Sequence, residues 1–188
     1  MKIVIIDNYD SFTYNLVHLL KEIEEVEISV LRNDKFELED LESYDKILLS
    51  PGPGIPSEAG LLMETIKAYS DKKPILGICL GHQAIGEYFG ATLENLSTVY
   101  HGIQSEIMID PKSPIFQGLD KLIKVGRYHS WAISNIELPE CLEIIAKDEN
   151  EQIMAIQHKE LDIIGVQFHP ESVLTPEGET MIRQWVKK

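Results

Sequence analysis

The segment Lys73-Pro74-Ile75-Leu76-Gly77-Ile78-Cys79-Leu80-Gly81-His82-Gln83 says more about the fold than any other part of this chain. A short apolar run carries one cysteine between two glycines and leads into a helix-like segment. Such an arrangement can form a sharp strand-to-helix turn that lifts the central side chain above a sheet, because glycine tolerates a crowded backbone. The helix N-terminus that follows would stabilise a thiolate. Two interpretations of Cys79 stay open here: a nucleophile, or a small buried apolar residue.

The composition describes an acidic globular chain. Of its 188 residues, 44% are hydrophobic and 26% are charged, which suits a folded domain with a sizeable core. We expect one domain over residues 1–188. The 17 basic and 31 acidic side chains leave a formal charge of −14, which argues against nucleic acid or a membrane as partner. Two cysteines make no disulfide framework, and no apolar run suits a signal peptide or membrane helix. A cytoplasmic location is therefore expected.

The first half of the chain alternates strand-like and helix-like patterns. Apolar runs predict strands at residues 3–6, 26–31, 46–50 and 74–78. Helical spacing predicts a helix after Asp10 or Ser11, either of which could be its N-cap, and a second helix over 60–69. This alternation predicts right-handed crossovers and a parallel sheet. Functional residues of such sheets lie at the carboxyl ends of the strands, where Asp7 and Cys79 fall.

The second half of the chain has a different pattern. Short strands with few helices between them are expected at residues 92–96, 103–109, 123–128, 142–146, 154–157 and 163–168. A helix over 176–186 closes the chain. The predicted fold is therefore an α/β domain with a mostly parallel central sheet, flanking helices, and an antiparallel or mixed extension.

A base for the thiol is available in Gly165-Val166-Gln167-Phe168-His169-Pro170-Glu171-Ser172. A thiol nucleophile needs a histidine to take its proton and a third group to orient that histidine. Residues two apart in an extended segment point to one side, and Pro170 favours an extended His169. Glu171 could therefore orient the imidazole. His101 and His129 are further candidates to line the site, and no group of residues has the compact spacing of a metal site.

The segment Pro51-Gly52-Pro53-Gly54 follows a predicted strand and allows two interpretations. It could be an ordinary turn, and it lacks the lysine of the phosphate-binding glycine-rich loop. Its backbone N–H groups could instead face a developing oxyanion, where one donor is typically worth about 3 kcal/mol. The N–H of Leu80, directly after Cys79, is the natural second donor.

With these segments in place, the sequence closely resembles the class I (triad) glutamine amidotransferases over essentially its whole length. Gly77-Ile78-Cys79-Leu80-Gly81-His82-Gln83 is similar to the family's nucleophile motif, and His169-Pro170-Glu171 to the rest of its triad. Within the family, four further segments resemble the glutaminase subunits of anthranilate synthase and aminodeoxychorismate synthase. These are Asp7 to Leu16, Ser50-Pro51-Gly52-Pro53-Gly54, His101-Gly102 and Arg127-Tyr128-His129-Ser130.

The resemblance implies a flavodoxin-like fold and hydrolysis of the side-chain amide of L-glutamine. Cys79 would attack the amide, His169 would transfer protons and Glu171 would orient the imidazole. The oxyanion hole would be formed by the N–H groups of Gly52 and Leu80. The family positions that bind glutamine correspond here to Gly52, Pro53, Gly54, Leu80, Gln83, Ser130 and Trp131. Trp131 stands where leucine is usual, a change that backbone contacts would tolerate.

The resemblance also implies a partner, a separate chorismate-binding synthase subunit that receives the ammonia. The segments 9–12 and 100–102 would face it, although Ile103 stands where a basic residue is common. No cofactor is expected in this chain, and Mg²⁺ is expected only in the synthase. The leading prediction is anthranilate synthesis; the alternatives are aminodeoxychorismate synthesis or a subunit shared by both. A non-catalytic module on the same fold and another cysteine hydrolase fit the motifs less well.

Overall fold

The structure, a computed structural model, describes residues 1–23 and 25–188. Its strands are β1 (Lys2–Asp7), β2 (Glu27–Arg32), β3 (Lys46–Leu49), β4 (Ile75–Ile78), β5 (Leu93–Asn95), β6 (Ile103–Ile109), β7 (Leu122–Arg127), β8 (Trp131–Ile133), β9 (Leu142–Asp148), β10 (Ile153–His158) and β11 (Ile163–Val166). Its α-helices are α1 (Thr13–Lys21), α2 (Leu62–Tyr69), α3 (Leu80–Tyr88) and α4 (Gly178–Lys187). Short 3₁₀ helices cover Leu38–Ser43, Pro56–Glu58 and Pro114–Phe116.

Nine strands form one mixed sheet in the order β2-β1-β3-β4-β11-β10-β9-β6-β7, and β5 pairs with β8 in a separate ribbon. The first five strands of that order are parallel, and the remaining pairings are antiparallel. The parallel part has the strand order of a flavodoxin-like sheet. The predicted fold class, a parallel sheet with an antiparallel extension, is confirmed.

Helices cover both faces of the sheet because the central strands are apolar on both faces. Along β1, Ile3 and Ile5 pack into one hydrophobic cluster, while Val4 and Ile6 pack into the other. The first cluster includes residues of α1 and α4, and the second includes residues of α2 and α3. Each fully buried isoleucine contributes about 1.5–3 kcal/mol. Two helices thus pack on each face of the parallel strands, whose carboxyl ends lie at one edge of the sheet.

Two local predictions need correction, and one strand was missed. Neither Asp10 nor Ser11 caps α1: Phe12 occupies the N-cap position, and the Asp10 carboxylate instead accepts the Phe12 N–H at 2.8 Å, one turn earlier. The strand predicted over 163–168 ends at Val166, because the next residues leave the sheet for the site described below. The strand β8 was not predicted, since three residues carry too little alternation to reveal it.

Candidate active site

Cys79 sits on the predicted strand-to-helix turn between β4 and α3. Its backbone has φ 52° and ψ −99°, a strained conformation for a residue with a side chain. A Cβ on Gly77 would lie 2.5 Å from the Gly81 carbonyl oxygen, and one on Gly81 would lie 2.5 Å from the Leu49 oxygen. The Cys79 N–H donates to the Val166 carbonyl at 2.8 Å. Both glycines are therefore required by close backbone packing, and the turn is locked onto the neighbouring strand.

His169 and Glu171 form a buried pair beside this cysteine. The Nδ1–H of His169 donates to Glu171 Oε1 at 2.6 Å, with both side chains almost fully buried. Burial by itself lowers the pKa of His169, but interactions with the Cys79 side chain and the Glu171 carboxylate outweigh it and raise the pKa to about 10. At neutral pH the imidazole is therefore positively charged. Its Nε2 is buried and has no hydrogen-bond partner among the described residues.

The backbone of His169 is fixed at both ends. Its N–H donates to the Gly126 carbonyl at 3.0 Å, and its carbonyl accepts the Thr175 hydroxyl at 2.6 Å. Two aromatic rings cover the imidazole: the ring centroid of Phe12 lies 5.3 Å away and that of Tyr128 lies 4.8 Å away. These contacts leave the imidazole little rotational freedom, as a proton-transfer group requires.

The loop at residues 51–54 lies against the start of α3. A Cβ on Gly52 would lie 2.5 Å from Asn8 Cβ and 2.8 Å from Leu80 Cδ2, so the loop packs directly on the helix that begins at Leu80. Asn8 fixes the loop's start, because its N–H donates to Ser50 Oγ and its amide donates to the Ser50 carbonyl, each at 2.8 Å. N–H groups of a first helical turn have no partner inside the helix. In the described part of the chain, neither the Gly52 nor the Leu80 N–H is used in a protein hydrogen bond.

The residues predicted to hold glutamine are distributed unevenly around the site. Gln83 is buried, and its Nε2 donates to the Trp131 carbonyl at 2.9 Å. Ser130 is half-buried, and its carbonyl accepts the Leu96 N–H. Pro53 and Gly54 lie on the exposed side of the loop, and Gly54 has φ 75°. The structure thus brings Gln83 and Trp131 together near the turn, with Pro53 and Gly54 at the rim; their contacts with glutamine stay a prediction.

The two remaining candidate histidines differ in environment. His101 is exposed, with its ring 6.1 Å from that of Tyr128. His129 is buried: its Nε2 accepts from Arg127 Nε at 3.1 Å and its Nδ1 donates to the Trp131 carbonyl at 2.9 Å. Burial and the Arg127 charge lower the pKa of His129 to about 4. His129 is therefore neutral and belongs to the support of the site.

Sequence reasoning missed Gln167, Arg127 and Asp148 as parts of the site. Gln167 Nε2 lies 3.7 Å from Cys79 Sγ. Arg127 and Asp148 form a buried ion pair at 2.7 Å next to His129. Gln167 stands directly after β11 and two residues before His169, and this closeness to the predicted base was the one signal that could have found it. Arg127 lies in a segment that carries the family resemblance, but it and Asp148 come from separate strands and no spacing in the sequence pairs them.

Within residues 1–23 and 25–188, no group of three His, Cys, Asp or Glu side chains is arranged to hold a metal ion. Nor is any helix of that part long and apolar enough to cross a membrane. The chemistry that the site can perform is that of a thiol with an oriented imidazolium beside it and two backbone N–H donors at the same edge of the sheet.

The family model described as "Glutamine amidotransferase class-I" matches residues 4–188. The chain belongs to this family. Two curated relatives are each 45% identical to this amidotransferase over 98% of its length. One is the "Aminodeoxychorismate/anthranilate synthase component 2" of Bacillus subtilis, of which the match covers 95%. The other is the "Bifunctional protein TrpGD" of Thermotoga maritima, of which the amidotransferase spans only 32%.

A solved structure from Thermoplasma acidophilum, described as a GMP synthase component, resembles the amidotransferase with a TM-score of 0.89 at 29% identity. The match covers 100% of this chain and 92% of that one. The fold and the family resemblance that the sequence predicted are thus confirmed.

Proposed function

We propose that this amidotransferase is a glutaminase subunit, which hydrolyses L-glutamine through Cys79, His169 and Glu171 and delivers ammonia to a chorismate-using synthase. One observation carries the proposal. The Glu171–His169 pair lies against the strained cysteine, at the sheet edge where the N–H groups of Gly52 and Leu80 are both without protein partners among the described residues. A thiolate, a proton donor and an oxyanion site are the groups that cleavage of an unactivated amide requires.

In the first half of the proposed reaction, the Cys79 thiolate attacks the Cδ carbon of glutamine. The carbonyl oxygen becomes an oxyanion, which the N–H groups of Gly52 and Leu80 stabilise. The His169 imidazolium then gives its proton to the leaving nitrogen, the C–N bond breaks, and ammonia departs. Cys79 is left as a γ-glutamyl thioester and His169 as a neutral imidazole.

In the second half, neutral His169 takes a proton from water, and the resulting hydroxide attacks the thioester carbonyl. The same two N–H donors stabilise the second oxyanion. Collapse breaks the C–S bond, releases glutamate and restores the thiolate–imidazolium pair. Glu171 holds the ring through its 2.6 Å bond to Nδ1 in both halves, so Nε2 always faces the reacting atoms.

The partner in this proposal is a synthase that binds over the Tyr128 ring, beside His169. The two segments predicted to face it meet there, because Phe12 and His101 both pack against the Tyr128 ring, with centroids 5.0 and 6.1 Å away. Tyr9 and Tyr14 nearby are strongly exposed. Tyr128 also contacts His169, so a partner bound over the Tyr128 ring would lie next to the imidazole that transfers protons.

Anthranilate is the product we favour for the complex, with aminodeoxychorismate as the second candidate. The Bacillus subtilis relative carries both activities in its name, which supports a subunit shared by two synthases as well. The mechanism uses side chains and backbone groups alone, so in this proposal Mg²⁺ belongs to the synthase. We place the chain in the cytoplasm as one domain that binds neither nucleic acid nor membrane.

The decisive experiment compares two nitrogen sources in the complex of this chain with its synthase, captured by pull-down and identified by its chorismate product. Cys79→Ala should abolish synthesis from glutamine while synthesis from added ammonia persists. Cys141→Ala, at the other free cysteine, should preserve both. Undiminished glutamine use by Cys79→Ala would overturn the proposal, and the fluorescence of anthranilate distinguishes the two products.

A further inference from the structure

Gln167 is a fully buried amide in contact with the sulfur of Cys79. Its Nε2 lies 3.7 Å from Cys79 Sγ, and its Oε1 lies 3.2 Å from Gln83 Nε2. Its backbone N–H donates to the Met154 carbonyl at 2.9 Å, so the residue is also fixed at its main chain. The proposed glutaminase mechanism assigns this side chain no task.

The orientation of the Gln167 amide follows from the groups around it. The Trp131 carbonyl can only accept, so the Gln83 atom 2.9 Å away must be the amide nitrogen. That nitrogen can only donate, so the Gln167 atom facing it must be the oxygen. The other end of the Gln167 amide, which faces the sulfur, is therefore the N–H₂ group.

The hydrogen bonds continue from the Trp131 carbonyl through His129 to Arg127, and their donors and acceptors are fixed as well. Arg127 can only donate, so His129 Nε2 accepts its Nε–H, and the His129 proton lies on Nδ1, where it donates to the Trp131 carbonyl. Arg127 in turn is held by Asp148 at 2.7 Å and by Gln152. The guanidinium also stacks on Tyr100, 3.5 Å from the ring centroid. Every hydrogen bond between Arg127 and the sulfur thus has one allowed direction.

We propose that Gln167 is a further catalytic residue, whose Nε2–H donates to the Cys79 thiolate and whose orientation is set by Gln83 and the Trp131 carbonyl. The inference rests on the proposed function, because it concerns the charge on the same nucleophile. The thiolate is then stabilised from two sides: by the His169 imidazolium and by the Gln167 amide. Arg127 and His129 are positioning residues that act through the Trp131 carbonyl.

This arrangement has a kinetic signature that a merely structural role would not produce. A donor to the thiolate increases the fraction of thiolate at low pH, but it also makes each thiolate less nucleophilic, with a Brønsted coefficient of about 0.4–0.5. Removal of the donor should move the midpoint of the thiol's pH–reactivity profile up by about one pH unit. Reactivity should then fall about threefold well below the midpoint and rise about threefold on the high-pH plateau.

The test uses the full chain with Cys141→Ser, so that Cys79 is the one thiol, and 2,2′-dithiodipyridine as the probe. Gln167→Met removes the N–H donor and keeps the side-chain length. Gln157→Met is the matched control, since Gln157 bonds to Ser113 and Glu143 at the opposite end of β10. We expect the pH profile of Cys79 reactivity in Gln167→Met to cross that of the Cys141→Ser chain, lower at low pH and higher at high pH. The profile of Gln157→Met should be unchanged.

An unshifted midpoint in folded Gln167→Met would overturn the inference. If that variant fails to fold, NMR of the chain with Gln167 unsubstituted provides the test. The chemical shifts of the Gln167 side-chain amide should change with pH at the same midpoint as the thiol reactivity. Chemical shifts that do not change with pH would equally contradict the inference. Cys79→Ala distinguishes a failure of the proposed function from a failure of the proposed role of Gln167. Loss of glutamine use in Cys79→Ala with an unshifted Gln167→Met retains the proposed function and removes only this inference, whereas retained glutamine use removes the proposed function itself.

Discussion

A methyl group added to Gly52 should disable the oxyanion site while leaving the nucleophile intact. The Cβ of Gly52→Ala would lie 2.5 Å from Asn8 Cβ, 2.8 Å from the Asn8 carbonyl oxygen and 2.8 Å from Leu80 Cδ2. Carbon atoms pack at about 3.5 Å, so one side must retreat by about 1 Å. Asn8 cannot move easily, because its backbone and its side chain are both bonded to Ser50. The loop that carries the Gly52 N–H must therefore move.

The size of the effect follows from the tolerance of an oxyanion site. A donor works at about 2.7–3.1 Å from the oxyanion, so a shift of about 1 Å removes its contribution. Loss of one such donor lowers kcat by about 10²–10³-fold. The glutamine KM should change much less, because the contact is made in the transition state. The added strain should lower the free energy of unfolding by about 1–3 kcal/mol.

The assay is steady-state release of glutamate from glutamine in the complex with the synthase, together with urea unfolding of each variant. Gly118→Ala is the control, since Gly118 has φ 81° but, chain neighbours aside, no atom of residues 1–23 and 25–188 lies within 4 Å of its added Cβ. It should lose about 1 kcal/mol of stability through backbone strain and keep its activity. Alkylation of Cys79 by iodoacetamide should be the same in both variants. A Gly52→Ala variant whose kcat stays close to that of the unsubstituted chain would refute the reasoning.

Two further predictions concern stability. Cys79→Gly should be more stable than Cys79→Ala by about 1–2 kcal/mol in urea unfolding, because φ 52° and ψ −99° strain any residue with a Cβ; an equally stable Cys79→Ala would contradict the strain. His82→Leu should make the protein less sensitive to acid. Burial lowers the pKa of His82 from 6.5 to about 3. Between these two pH values the unfolded chain binds one proton that the folded chain does not, so the free energy of unfolding declines as the pH falls through this range. By about pH 5 this loss amounts to about 2 kcal/mol, which His82→Leu should lack when unfolding is compared there and at neutral pH; identical losses in both proteins would disprove it.

The sequence predicted those parts of the molecule whose signals are local. Continuous apolar runs identify β1, β3 and β4, because strands covered on both faces need no polar alternation. The two glycines around Cys79 identify the turn, because only they allow the backbone approaches seen at Gly77 and Gly81. His169 and Glu171 were found because they are two residues apart, although the segment that joins them is a turn, with the Ser172 N–H donating to the His169 carbonyl, and not the extended segment predicted.

The parts that escaped prediction depend on residues distant in the chain. Arg127 and Asp148 neutralise each other inside the protein, yet no spacing in the sequence pairs them, and Asp148 alone resembles an ordinary surface charge. Asn8 acts on the loop through Ser50, and no spacing rule connects them. The predicted N-cap of α1 was wrong because the Asp10 carboxylate accepts the Phe12 N–H, which lies before the helix begins. Any aspartate near a helix start has this local alternative.

The position of β11 in the sheet has a consequence for how the protein is made. β11 lies between β4 and β10, although it is the last strand in the chain. During synthesis, the first four strands can assemble early, but β4 then presents an unpaired apolar edge, Ile-Leu-Gly-Ile, until Ile163–Val166 emerges. Open edges of this kind pair readily with other chains. The same delay keeps the thiol apart from its base, so the nascent polypeptide carries an unactivated cysteine until His169 and Glu171 have been translated.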